Sequence, residues 1–451
     1  MTRAAFRSLL AVAAAAVIIR LAVSASFKGH SYVAAGPVKP ETEATYLKRG
    51  EIDPGDSEQY LLLGASIRHR LSYTWNHEPN TFRTPGYPLL LALLDGNLTA
   101  IIVVQALLAG LTVFLVGLVG LRLFNPRAGL LGAALLAVDI PSIFLSGTVM
   151  SEVLFTFSAV LAAALFLGWS QDRGRKACEG KPSRTLSAAA AGLVLGFAAL
   201  VRPIALFAFV PFGLVLVARR NWRGLVLMLV AFFMLPGIWV ARNYCHYRRF
   251  NLTSNGGYNL LYANAAAVIG DEQHTTGDIG RLELARDFTS KLATDNPLEL
   301  ADAMTRKATS VILHDPFRYA WVCLCDVPRV IAGIKSDDLV LRTLATNESA
   351  TQGSVLLNRG YGSARVRFAI WLMAGFELLT AIGGFLLALV SLGFRRWRTE
   401  KLLFVFAGLY FVAAALPFTD GRFRVPAMPF LYLAAATVLA GRETREGVEG
   451  A

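Results

Sequence analysis

Apolar windows of about 20 residues recur along this chain, and they constrain its fold more than any other feature. A helix of that length crosses roughly 30 Å of hydrocarbon at about 1.5 Å per residue. Hydrophobic residues make up 55% of the 451-residue chain and charged residues 17%, below the roughly 25% usual in soluble domains. The sequence therefore predicts an all-α polytopic membrane protein.

Hydropathy predicts about ten transmembrane spans. They cover residues 5–24, 98–124, 128–145, 149–169, 187–200, 203–217, 222–240, 368–394, 402–416 and 425–440. The first span ends in Val23-Ser24-Ala25, a small-residue pattern that also suits signal-peptide cleavage. Arg20 favours instead a retained, tilted helix whose guanidinium snorkels to the interface. Asp139, just ahead of Pro141, is expected to cap a break.

Basic residues indicate which loops face the cytoplasm. Clusters of Lys and Arg follow the second, fourth, sixth and eighth spans, at 122–127, 173–184, 219–223 and 395–401. By the positive-inside rule these loops lie with both termini in the cytoplasm, so residues 26–97 and 242–365 are external. The same bias accounts for the formal net charge of +13, and we predict no nucleic-acid partner.

The early external loop contains acids, histidines and rigid prolines. A chain this apolar rarely places such residues together on one loop unless they have a function. Apolar side chains recur within it at helical spacing, at Tyr60, Leu63, Ile67 and Leu71. This spacing predicts an amphipathic helix that lies in the membrane interface, with Gln59 facing away from the apolar stripe. A second interfacial helix is expected from Pro88 to Leu94.

Asp56 is the first candidate for chemistry, because it precedes the amphipathic helix just outside the lipid. A carboxylate placed there can act as a general base. The alternative is a helix N-cap, with Gln59 three residues later as its capping-box partner.

Arg83 and Glu152 are two further candidates. Arg83 stands beside the rigid turn Thr84-Pro85-Gly86, where its guanidinium suits a phosphate, either of a substrate or of lipid headgroups. Glu152 lies at the external end of a span, where charge is costly. It either shapes a site or snorkels to the interface.

Four more arginines fall at external span ends, on the side where the topology bias disfavours positive charge. They are Arg202, Arg242, Arg422 and Arg424. Together they could hold a phosphate or pyrophosphate, and singly each could be an interfacial anchor.

The cysteines and histidines show no metal-binding spacing, and we predict neither a metal nor a cofactor. Cys245, Cys323 and Cys325 fall in the predicted external region, where one disulfide from Cys245 to either of the others could form. Free buried thiols are the other reading.

Several motifs in this order resemble the lipid-carrier-dependent glycosyltransferases of the GT-C fold, in particular bacterial relatives of the protein O-mannosyltransferases and of the aminoarabinose transferases that modify lipid A. The resemblance covers most of the chain. The motifs begin at Gly55-Asp56-Ser57-Glu58, Arg83-Thr84-Pro85-Gly86-Tyr87-Pro88, Ser151-Glu152-Val153, Leu200-Val201-Arg202-Pro203, Ala241-Arg242-Asn243 and Arg422-Phe423-Arg424.

The resemblance implies a GT-C-like bundle with a catalytic acid at Asp56 and a carrier-phosphate contact at Arg83. It also implies that Glu152 helps to form the catalytic site. Substrate-binding roles are expected for Glu58, Tyr60, Tyr87, Arg202, Arg242, Arg422 and Arg424. Many relatives carry adjacent Asp and Glu at the first motif, whereas here Ser57 separates Asp56 from Glu58.

The expected function is an inverting transfer of a sugar from a polyprenyl-phosphate donor to an unknown acceptor, on the external face of the inner membrane. The expected division is a catalytic transmembrane module at 1–241 with external loop 26–97, a small external (periplasmic) region at 242–365, and transmembrane helices at 366–451. The alternatives are a lipid or glycan transporter and a scaffold. Convergence of Asp56, Arg83 and Glu152 on one external cavity would favour the enzyme.

Overall fold

The structure, a computed structural model, describes residues 2–27, 56–75, 78–167, 184–273, 284, 294, 296–344, 364–393, 398–417 and 420–441. Its first half contains, in chain order, α1 (Arg3–Ala25), α2 (Asp56–Arg70), β1 (Thr74–Trp75), β2 (Glu78–Pro79), α3 (Gly86–Leu93), α4 (Leu98–Leu123), α5 (Pro126–Ala137), α6 (Ile140–Ser146), α7 (Glu152–Leu167) and α8 (Arg184–Val201). The two short strands form an antiparallel hairpin.

The second half begins with a 3₁₀ turn (Pro203–Phe207), α9 (Phe209–Ala218) and α10 (Trp222–Tyr247). It continues with α11 (Asn255–Asn259), a π-helical turn (Leu260–Ala265), α12 (Ala266–Glu272), α13 (Pro297–His314), α14 (Pro316–Ala332) and α15 (Ser336–Leu344). It ends with α16 (Ala364–Ser391), α17 (Arg398–Ala415), a second 3₁₀ turn (Gly421–Arg424) and α18 (Met428–Leu439).

Among the described residues, four helices are long and apolar enough to cross a membrane. They are α1, α4, α10 and α16. A fifth span is formed if α5 and α6, bent by 56°, count as one. Several shorter apolar helices coincide with other predicted spans. The prediction of an all-α polytopic membrane protein is confirmed, and the number of spans stays a prediction.

The bend between α5 and α6 explains the intramembrane arginine. Asp139 caps α6 by accepting from the Ser142 amide at 3.1 Å, as predicted. Arg20 does not snorkel, which corrects the sequence interpretation. It is fully buried and donates to the carbonyls of Leu136 and Ala137, which lie in the last turn of α5, where the i→i+4 pattern of helical hydrogen bonds ends.

In the predicted first external loop, the described residues 56–75 and 78–97 pack α2 against α3. On α2 the buried face includes Gln59, which was predicted to face outward, and Leu63. Leu71 ends the helix at φ 50° and is 93% exposed, so it is not part of the apolar face. Gly64 permits the close approach of α3, since a Cβ there would lie 2.9 Å from the Leu91 Cβ.

Candidate active site

Asp56, the first residue of α2, binds two guanidiniums that are far apart in sequence. Its Oδ1 accepts from Arg83 Nη2 at 2.5 Å, and its Oδ2 accepts from Arg422 Nη1 at 2.9 Å. The second 3₁₀ turn, which follows α17, supplies Arg422. Both carboxylate oxygens are therefore occupied by charge-assisted hydrogen bonds, the strong kind.

The charge state of Asp56 follows from these contacts. Burial raises the pKa of the carboxyl, but Arg83 and Arg422 lower it through charge and hydrogen bonding, and the net direction is downward. Asp56 is consequently ionised at neutral pH, as a general base must be, although the two guanidiniums weaken its basicity while they remain bound.

The Arg83 side chain is fixed from several directions. Its Nε donates to Gln59 Oε1 at 2.7 Å, and its guanidinium lies over the rings of Tyr60 and Phe82, 5.1 Å from each centroid. The Arg83 amide donates to Asn80 Oδ1 at 3.1 Å. The Gln59 amide oxygen thus accepts from Arg83, a role that the capping-box alternative did not foresee.

The Pro-Gly turn after Arg83 brings the first loop against the end of α8. A Cβ on Gly86 would lie 2.7 Å from the Leu200 carbonyl, so only glycine permits this approach without a shift. Arg202, two residues after Leu200, extends toward α7 and pairs with Glu152 at 2.5 Å. The tight turn therefore places this second ion pair beside the first loop.

Glu152 is buried at 1% exposure, so the snorkelling alternative is wrong. One carboxylate oxygen pairs with Arg202, and the other, Oε2, has no hydrogen-bond partner among the described residues. Burial lowers the pKa of the Arg422 guanidinium, but the carboxylates of Glu152, Asp56 and Asp420 together raise it, and the net direction is upward. Arg422 therefore links the two acids electrostatically.

Tyr60 of α2 and Tyr87 of α3 pack beside the ion pairs of Asp56 and Glu152. Their rings pack edge to face at 5.0 Å, and the Tyr60 hydroxyl lies 3.3 Å from Ser151 Oγ. The Tyr87 hydroxyl donates to Gln105 Oε1 at 2.7 Å, and the Gln105 amide in turn donates to the Thr148 carbonyl. Tyr87 is fully buried and holds α3 against the residues that precede Glu152.

Three predicted site residues have other surroundings in the structure. Arg242 donates to the carbonyls of Asn80 and Tyr73 and lies over the Trp239 ring. Arg424 is 1% exposed and pairs with Glu377 at 2.7 Å. The described contacts of Asp56 include neither of these arginines, nor Glu58.

Of the two alternatives for the cysteines, the structure has free thiols at Cys245, Cys323 and Cys325, and Cys245 and Cys325 are exposed rather than buried. No group of three or more metal-ligating side chains exists among the described residues. The Asp56 cluster joins two carboxylates, Asp56 and Glu152, to three guanidiniums, Arg83, Arg202 and Arg422. Such a surplus of guanidiniums suits an anion better than a metal cation.

Residues 94–247, which include Glu152 and Arg202, match the family model of the dolichyl-phosphate-mannose-protein mannosyltransferases. Comparison with curated protein sequences gives no significant match.

Solved structures align with most of this chain, two of them in complex with a lipid phosphate. The archaeal oligosaccharyltransferase AglB from Archaeoglobus fulgidus, in complex with an inhibitory peptide and a dolichol-phosphate, aligns at 17% identity and a TM-score of 0.49 over 95% of this chain and 50% of that one. The chain thus spans about half the length of that enzyme. ArnT from Cupriavidus metallidurans, bound to undecaprenyl phosphate, aligns at 13% identity and a TM-score of 0.37 over 95% of this chain and 77% of that one.

The match over 94–247 confirms the resemblance drawn from the sequence: this part of the chain is similar to the dolichyl-phosphate-mannose-protein mannosyltransferase family.

Proposed function

We propose that this protein is an integral-membrane glycosyltransferase that moves a hexose or pentose from a polyprenyl-phosphate donor to an acceptor hydroxyl. The observation that carries this proposal is the Asp56 carboxylate held between Arg83 and Arg422. A lipid-linked sugar transfer requires a base for the acceptor and cations for the departing phosphate, and these three side chains supply both within one contact set.

In this mechanism the donor phosphodiester replaces Asp56 as the partner of the two guanidiniums. The bond between the anomeric carbon and the phosphate oxygen breaks, and its electron pair passes to that oxygen. Arg83 and Arg422 stabilise the charge that develops on the departing phosphate. The transition state resembles an oxocarbenium ion, as in other glycosyl transfers.

The acceptor hydroxyl attacks the anomeric carbon from the face opposite the phosphate, which inverts the configuration. Its proton passes to Asp56, which has become a stronger base on losing its two cationic partners. The Glu152–Arg202 pair lies next to the guanidiniums that exchange Asp56 for the donor phosphate. Glu152 offsets the positive charge of Arg422, and its unpaired Oε2 leaves room for one additional hydrogen-bond donor.

The reaction is placed on the external, periplasmic face of the inner membrane. Support comes from the basic loops, which put the predicted loop 26–97 outside. The division into a catalytic module at 1–241, an external region at 242–365 and closing transmembrane helices at 366–451 forms part of the same proposal.

Transfer in vitro tests the proposal. Purified protein in nanodiscs is supplied with synthetic polyprenyl phosphates carrying mannose, glucose, galactose or arabinose, together with candidate acceptors. The expected result is release of the free polyprenyl phosphate that depends on both donor and acceptor. Release from none of the donors, with folded protein, would overturn the proposal.

The pH dependence should distinguish the free enzyme from the donor complex. In the free enzyme the pKa of Asp56 is lowered below its usual 3.8, so kcat/KM should stay level as the pH falls from about 8 to about 5. Donor phosphate withdraws both guanidiniums and adds negative charge, which raises the pKa of Asp56. The acid limb of kcat should therefore lie at higher pH than that of kcat/KM. Coincident limbs would contradict the exchange of partners.

Arg83→Lys should weaken donor use although it preserves the charge. An ammonium cannot reproduce the planar guanidinium that bonds Gln59 and Asp56 at once while lying between two rings. We expect the KM for the synthetic donor to rise about tenfold or more. Arg68→Lys is the matched control, because Arg68 forms an exposed pair with Asp95. An unchanged KM in the Arg83 variant would remove Arg83 from phosphate binding.

A further inference from the structure

A cavity of about 630 Å³ lies beside the cluster, between the β1–β2 hairpin and the helices α11 and α13. Small-ligand sites commonly enclose about 300–1,000 Å³. The Phe82 ring lines this cavity and also contacts the Arg83 guanidinium. One aromatic ring and one guanidinium therefore separate the cavity from Asp56.

The lining combines aromatic side chains with the polar residues Glu78, Asn80, Thr81 and Ser254. Trp75, Phe82, Tyr247 and Tyr258 all contribute to it. The Trp75 side chain is half-buried, and the structure shows neither a hydrogen bond from its indole N–H nor a ring contact for it within the described part of the chain. Trp75 therefore has both its indole N–H and its ring face available to a ligand in the cavity.

The backbone of the hairpin wall is already paired. The Pro79 carbonyl accepts from the Tyr247 hydroxyl, and the Thr81 carbonyl accepts from the Ser254 amide and the Thr253 hydroxyl. The Phe82 carbonyl also accepts from Thr253. An extended peptide binds by adding a strand to free backbone groups, and this wall offers few. Recognition there must rely on side chains.

The charge of the cavity lining limits the class of ligand further. Glu78 belongs to the lining as an exposed carboxylate and forms no ion pair with any described residue, so it disfavours an anionic ligand. The nearby Arg83 and Arg242 are already bound by partners of their own. Flat aromatic faces carry negative charge density and attract the weakly positive C–H faces of a pyranose ring, while carboxylate and amide groups bond its hydroxyls. Neutral sugar rings satisfy these conditions together.

We propose that this cavity binds the acceptor, and that the acceptor is a neutral oligosaccharide. One or two of its sugar rings lie against Trp75 and Tyr258, and its reacting hydroxyl extends past Phe82 toward Asp56. This assignment rests on the proposed transferase function.

Direct binding, measured without donor, tests the cavity separately from the chemistry. Mannotriose, maltotriose and arabinotriose are titrated calorimetrically into the full-length protein in nanodiscs, beside a trigalacturonate and a Ser/Thr-rich peptide. We expect one neutral trisaccharide to bind, and Trp75→Ala to weaken it about tenfold. Trp321→Ala, at an exposed position outside the cavity, should leave this binding unchanged.

Glu78→Gln keeps the proposal testable if Trp75→Ala misfolds. Removal of that charge should improve trigalacturonate binding about two- to fivefold relative to the neutral sugar. Binding of none of the neutral trisaccharides, or binding that survives both Trp75→Ala and Tyr258→Ala, would overturn the proposal. So would transfer to the peptide with an unchanged KM in Trp75→Ala, which would leave the transferase function standing. Sugar binding without lipid-phosphate release from any donor would overturn both.

Discussion

Asp56→Asn should abolish sugar transfer while the protein still inserts into the membrane and binds its donor. The amide keeps the shape of the carboxylate but cannot take the proton of the acceptor hydroxyl. Loss of a positioned general base costs about 10²–10⁴-fold in rate. The change should appear in kcat, measured as release of polyprenyl phosphate at saturating donor.

The affinity for the donor, unlike kcat, should be retained or increased in Asp56→Asn. The Asp56 carboxylate competes with the donor phosphate for Arg83 and Arg422, so its replacement by a neutral amide frees both guanidiniums. The dissociation constant of the donor, measured by direct titration, should therefore stay the same or fall. This combination of a lost kcat with undiminished binding separates a base from a residue that merely holds the phosphate.

Asp95→Asn provides the matched control. Asp95 also pairs with an arginine, Arg68, but at the surface, where both side chains are more than half exposed. We expect nearly unchanged transfer in that variant. Full kcat in Asp56→Asn would exclude Asp56 as the base, and a donor affinity reduced as strongly as kcat would assign it to binding instead.

The elements that the sequence predicted well are those that local pattern controls. The apolar windows identified the long apolar helices α1, α4, α10 and α16, and Asp139 identified the break between α5 and α6. The rigid turn also singled out Arg83, whose role stays a prediction. Arg83 lies only 27 residues from Asp56, within the same loop. Arg422 is 366 residues away, and its contact with Asp56 depends on how the last helices pack.

Arginines at span ends look alike in sequence, and their partners distinguish them. Arg422 meets Asp56, whereas Arg424, two residues later, meets Glu377. Arg242 is held by carbonyls and by the Trp239 ring. None of these partners is near in sequence except Trp239, three residues before Arg242. That spacing places the two on one helical face and was the one available signal of a packing role.

The prediction for Gln59 was wrong for a different reason. Its spacing from Asp56 fits a capping box, and the helical pattern placed it away from the apolar stripe. The structure buries it because its amide oxygen fixes Arg83. A buried polar residue satisfied by a distant guanidinium leaves no periodic trace in the sequence, so hydropathy alone could not have found it.

Glu377→Ala should strongly destabilise the fold. Glu377 and Arg424 are each 1% exposed. The Glu377 carboxylate also accepts from the amides of Lys335 and Ser336, so one side chain of α16 joins two loops. Its loss leaves the Arg424 charge buried without a counter-ion, at a cost of about 3–5 kcal/mol. Thermal unfolding in nanodiscs should show a markedly lower midpoint.

Glu299→Ala is the control, because Glu299 pairs with Arg249 at the half-exposed surface, where such pairs contribute about 0–1 kcal/mol. The double variant Glu377→Met, Arg424→Met should recover most of the stability, since apolar replacements of a buried pair are often neutral. Equal midpoints for the double variant and Glu377→Ala would contradict the ion-pair explanation.

Donor kinetics of the double variant then separate stability from positioning. The 3₁₀ turn at Gly421–Arg424 carries Arg422 on one side and Arg424 on the other, so the Glu377 contact holds the turn that presents Arg422 to Asp56. A stable double variant should therefore still show a raised KM for the polyprenyl-phosphate sugar, because a freed turn orders its guanidinium only on binding. Recovery of both the midpoint and the KM would limit the Glu377–Arg424 pair to structural support.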